Sequence, residues 1–129
     1  MGMSALLTED SLTYYLTAGS VITRPVAWEI SLHSDDPGVD GTGNEITDAN
    51  YARQSIDFVV DTTDPAAPFA ENDVLVEYPV ADADYSVTHI VIWDSLGNIL
   101  VPQPLRVPKT ILATEQAQIA AGEIKIGAV

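Results

Sequence analysis

The sequence contains no cysteine, and it carries only 5 Lys and Arg against 19 Asp and Glu, a formal charge of −14. Without thiols there are no disulfides, no thiolate metal sites and no cysteine nucleophile. So few cations cannot build the phosphate-neutralising surface that dominates nucleic-acid affinity, and the same deficit argues against an anionic membrane as partner. No run of 18 apolar residues occurs, so no spanning helix is expected. Residues 1–7 show neither the segments of a secretory signal nor the myristoylation pattern. What is present is 129 residues, 47% of them hydrophobic, enough for one packed domain. The acid excess reads first as a well-solvated surface.

Residues 4–18 carry the best helical pattern, with Ser4 or Thr8 as cap and Gly19 as stop. Leu12, Tyr15 and Leu16 fall at i, i+3 and i+4 and form one apolar stripe. From Val26 onward the period changes to two. Strands are expected at 26–33, at 52–60 with Ile56, Phe58 and Val60 on one face, and around Val74, Val76 and Tyr78. The segment 86–94 is apolar on both faces, so it should be covered on both sides. One cover is the opposite sheet, and the N-terminal helix or a neighbouring subunit is expected as the other. Ser95-Leu96-Gly97-Asn98 reads as a turn, and Pro102, Pro104 and Pro108 mark an edge or a connector after it. Two last strands are expected within 109–119 and 122–126. Residues 34–50 and 61–72 read as loops, the second holding an exposed Phe69. The expected architecture is all-β: an antiparallel β-sandwich of about six to eight strands with one short N-terminal α-helix. A helical arm at 1–25 would precede a sandwich domain at 26–129.

Chemical motifs are sparse. Neither H-E-x-x-H nor G-x-S-x-G occurs, and Gly41-Thr42-Gly43-Asn44 lacks the lysine of a phosphate loop and is flanked by Asp40 and Glu45. His89, mid-strand among apolar residues, reads as a hydrogen-bonded core histidine. His33 lies beside Asp35 and Asp36, the one metal-like neighbourhood. With Asp40 these acids are weak candidates for calcium, but the EF-hand spacing fails at Thr47. A solvated acidic turn is the plainer reading of them. Arg53 is the lone cation of the central stretch and is expected to pin the 34–50 loop through Asp35, Asp36, Asp40, Glu45 or Asp48. No catalytic residue, no cofactor site and no resident metal are expected.

Several stretches taken in succession resemble a small family of tailed-bacteriophage virion proteins, the tail fibre proteins. They are Leu32-His33-Ser34-Asp35-Asp36-Pro37, Gly41-Thr42-Gly43-Asn44-Glu45, Tyr51-Ala52-Arg53-Gln54 and Thr88-His89-Ile90-Val91-Ile92-Trp93-Asp94. Pro108-Lys109-Thr110 and Ala120-Ala121-Gly122-Glu123-Ile124 continue the series. The order holds from about residue 12 to 126. The chain departs from the usual pattern at 61–72, where the Pro-containing loop is longer, and at 81–85, where a Trp-containing turn is usual. The resemblance implies a non-enzymatic, all-β structural component of a phage particle, assembled in the host cytoplasm. It implies a symmetric oligomer that contacts other virion proteins as a tail fibre, baseplate or collar component; the apolar surface of 86–93 and of the helix makes a trimer the expected state. Leu12, Tyr15 and Leu16 are then the expected assembly contacts. Two rival readings stand beside it: a capsid decoration protein, and a carbohydrate-binding module stacking sugars on Phe69, Tyr78, Tyr85 or Trp93.

Overall fold

The fold is taken from a computed structural model, which describes residues 5–19 and 24–127. Helix α1 spans Ala5–Leu16. Its first turn carries no acid, so Glu9 and Asp10 fall in the second turn and leave the helix N-terminus uncompensated. None of the described helix is long and apolar enough to cross a membrane.

Nine antiparallel strands follow among the described residues: β1 Trp28–His33, β2 Gln54–Ser55, β3 Phe58–Asp61, β4 Phe69–Asn72, β5 Val76–Val80, β6 Tyr85–Asp94, β7 Ile99–Ile111, β8 Gln116–Ile119 and β9 Lys125–Gly127. They form a four-stranded sheet in the order β2-β1-β6-β7, a three-stranded sheet β3-β4-β9 and the pair β5-β8. The expected all-β sandwich is what the chain adopts.

The core follows from period two. Ile30 and Leu32 of β1 pair with Ile92 and Ile90 of β6, so all four project from one face of the sheet. Opposite them lie Val76 and Tyr78 of β5 and Ala117 and Ile119 of β8, with Ile56, Ile111 and Ile124 closing the cluster. The Tyr78 hydroxyl, buried with the rest, donates to the Ile30 carbonyl at 2.9 Å, which keeps the layer free of unpaired polar groups.

Four expectations change. The segment 52–60 is two strands in two sheets, because the chain crosses between layers at Ile56, whose amide donates to Trp28 O at 3.1 Å. That crossing turns Val60 outward to 68% exposure, away from the face of buried Ile56. The loop expected at 61–72 ends in strand β4, paired with β3 and β9. Phe-Ala-Glu-Asn lacks alternation, so its pairing, not its pattern, makes it a strand. Phe69 is half-buried there, with the Lys125 ammonium 5.1 Å from its ring centroid. Finally, 109–119 breaks at residues 112–115, where Thr114 N and Ala81 N exchange bonds with Ala81 O and Glu115 O.

Candidate functional site: a polar network under the 34–50 loop

The second face of β6 carries Val91 and Trp93, in register with Ser31 and Glu29 of β1. Val91 is buried. On this face of the sheet lies the chain's own 34–50 loop, a cover that the sequence did not suggest. A Cβ added to Gly41 would lie 2.6 Å from Ile99 Cδ1 and 3.4 Å from Trp93 Cη2, so the loop backbone rests on those side chains.

The loop holds its shape by local chemistry. Ser34 N donates to Asn44 O at 2.9 Å, Ile46 N to Leu32 O at 3.0 Å and Gly43 N to Pro37 O at 2.8 Å. Asn44 takes the left-handed conformation at φ 58°, which Asn tolerates, and its amide donates to Asp36 O at 2.9 Å. Asp48 accepts from Asn50 N, Asp82 N and Ala83 N at 3.1, 3.1 and 2.9 Å, joining the loop to the β5–β6 turn. Those amides, Asp82's first, hold the Asp48 carboxyl below its usual value.

Beneath the loop lies a continuous polar chain. Trp93 Nε1 donates to Ser31 Oγ at 2.9 Å, and Ser31 Oγ lies 2.8 Å from His33 Nε2. His33 Nδ1 lies 2.6 Å from Gly43 O. A carbonyl only accepts, so Nδ1 carries the proton and Nε2 accepts from the serine. Burial pushes the His33 pKa below its ordinary 6.5, against the opposing pull of Gly43 O and Glu45. Arg53 closes the chain from the side. Its Nε and Nη2 donate to Glu45 Oε2 and Oε1 at 3.0 and 2.9 Å, and its guanidinium carbon stands 4.4 Å from the Trp93 ring centroid. Tyr51 donates its hydroxyl proton to Glu45 Oε2 at 2.8 Å and accepts from Leu32 N at 3.0 Å. Burial alone would raise the Glu45 pKa, but the Arg53 fork and the Tyr51 hydroxyl bring it below the usual value. Burial raises the Tyr51 pKa in turn.

The pairing of a serine hydroxyl with an imidazole has the outline of a nucleophile and its base. Here Ser31 and His33 are both fully buried, and the second imidazole nitrogen faces a backbone carbonyl rather than a carboxylate. The contacts this pair makes hold the backbone of the loop at Gly43. The sequence reading missed this pair and assigned the core role to His89. His89 is instead half-buried, its Nδ1 2.8 Å from Thr88 Oγ1, while His33 is the buried histidine. The i, i+2 spacing of Ser31 and His33 on one strand face was the available signal.

The acidic candidates behave as turn formers. Asp35 Oδ1 accepts from Asp36 N at 2.8 Å, Asp36 Oδ1 from Gly38 N at 2.9 Å and Asp40 Oδ1 from Thr42 N at 3.1 Å. No group of three or more His, Asp or Glu side chains among the described residues is placed to hold a metal ion. Of the aromatics named for sugar stacking, Tyr78 is buried, and Phe69, Tyr85 and Trp93 are half-buried. On α1, by contrast, Leu12, Tyr15 and Leu16 are 55%, 81% and 76% exposed.

The four central motifs read from the sequence therefore converge on one place. His33, Gly43, Glu45, Tyr51, Arg53 and Trp93 each come from one of them, and together they fasten a long loop to a sheet face. Such a site defines a structural β-sandwich module. The family model of the podophage GP4 fiber I protein gp80 matches residues 2–127, and the chain belongs to that family of phage fibre proteins. It is thus a structural component of the phage particle, in agreement with the motif resemblance. Comparison with curated proteins gives no match.

Proposed function

We propose that the chain is a fibre subunit that works by self-association and by docking onto other virion proteins, without catalysis. The observation that carries this reading is the exposure of Leu12, Tyr15 and Leu16 on α1. Fully burying such side chains is worth roughly 1.5–3 kcal/mol each, a contribution that favours association. Residues 1–25 then act as an assembly arm and 26–129 as the rigid body. Within that body the Arg53–Glu45 fork pins the 34–50 loop, so the surface offered to neighbours keeps one shape. A homotrimer, put together in the host cytoplasm, is the state we assign.

Light scattering of the purified chain tests this directly. The expected mass is about three times the 13.8 kDa of one chain. A mass of one chain at every concentration up to the millimolar range overturns self-association.

A further inference from the structure

The long edge strand β7 leaves its partner midway. Val87 pairs with Lys109 but His89 pairs with Pro104, so Thr88 alone faces residues 105–108. The extra residues bulge outward and, with residues 122–125, wall a groove of about 810 Å³. Its lining includes Leu105, Val107 and Ile124 together with Arg106, Lys109 and Lys125. Those are three of the five cations in a chain that carries 19 acids. Lys109 pairs with Glu123 at 3.0 Å and Lys125 approaches Glu71 at 3.9 Å, while among the described residues Arg106 makes no ion pair. Val107 stands 71% exposed on the bulge.

The occupant follows from what the edge can and cannot accept. Pro102, Pro104 and Pro108 strip amide donors from β7, so an added strand would find its ladder interrupted. A helix, which brings side chains instead of backbone, meets no such obstacle. Helix α1 has the matching pattern. Glu9, Leu12 and Leu16 lie at i, i+3 and i+7 on one face, with Tyr15 beside them. The face runs about 10 Å from carboxylate to last leucine. The helix contains acids and no cation, whereas the groove holds the densest set of cations on the chain.

We propose that α1 of one copy docks in the β7 groove of the next copy, its leucines against Leu105 and Val107 and Glu9 toward Arg106. This rests on the reading of the chain as a self-assembling fibre subunit. Groove and helix are different surfaces of the same chain, so the contact is head-to-tail and closes into a ring when the rotation allows.

The absence of native cysteine makes a cross-linking test clean. Leu16 and Val107 are both exposed, so a Leu16→Cys/Val107→Cys double variant leaves the core intact. Under mild oxidation it should give a ladder of covalent oligomers ending at the ring size, while either single variant stays uncross-linked. A monomer with an internal disulfide overturns the proposal, because the helix then fills its own groove. Dimers of Leu16→Cys alone overturn it in favour of helix–helix pairing. An uncross-linked double variant overturns it as well. The mass of the unaltered chain then tells the failures apart: an oligomeric mass leaves self-association standing, and a monomeric mass removes both.

Discussion

Replacing Gly43 by alanine should unlock the loop from the sheet. A Cβ there would lie 2.9 Å from Pro37 O and 3.2 Å from Pro37 C, both backbone atoms that no side-chain rotation can move. The crowding cannot be relieved locally, because Gly43 N already donates to that same carbonyl at 2.8 Å. Overpacking of this kind costs about 1–3 kcal/mol. Shifting the backbone to escape it draws Gly43 O away from His33 Nδ1, and a buried donor without its acceptor costs about 1–3 kcal/mol. The backbone relieves one cost only by paying the other, which puts the loss at about 1–3 kcal/mol. At about 4 °C per kcal/mol for a domain of this size, the melting midpoint should fall by about 4–12 °C. Thermal melting followed by far-ultraviolet circular dichroism reads it. Thr42→Ala, on the exposed side of the same loop, is the control and should stay within about 0.5 kcal/mol of the parent. A Gly43→Ala protein that melts within about 2 °C of the parent would refute the claim that the loop is clamped at this point.

Two further outcomes test the network. The His33 ring protons should titrate by NMR with a midpoint below 6.5, since burial favours the neutral imidazole. The sign follows: this residue's contribution to stability is complete above the unfolded-state pKa and is lost as pH falls through 6.5 toward the folded-state value, and a midpoint above 6.5 contradicts it. A double-mutant cycle of Glu45→Gln and Arg53→Met, read by urea unfolding, should give a coupling of about 1 kcal/mol. A two-pronged, charge-assisted bond is stronger than that when dry, but these side chains keep 22% and 33% of their exposure, so solvent screens the pair. A coupling under about 0.2 kcal/mol would show that Arg53 does not hold the loop.

Much of this protein is written in local order. Alternation along 26–33 and 74–78, with a run at 86–94 apolar on both faces, broken by Gly, Pro and Asn turns, is enough to name a β-sandwich. That works because period two is a property of one strand and needs no partner to be seen. The i, i+3, i+4 stripe of α1 and the edge character of a strand holding three prolines are legible for the same reason. The succession of motifs sufficed to point to phage fibre proteins. Long-range pairing is what only the tertiary structure decided. Phe69–Asn72 is a strand because β3 and β9 flank it, and 52–60 is two strands because the layers part at Ile56. The loop of residues 34–50 covers the outer face of β6 because His33, Ser31 and Trp93, from strands 60 residues apart, meet under Gly43. Buried polar groups must find partners, but sequence alone does not say which. The choice between His33 and His89 as the buried histidine turned on that point, and so did the choice among five acids of Glu45 as the partner of Arg53.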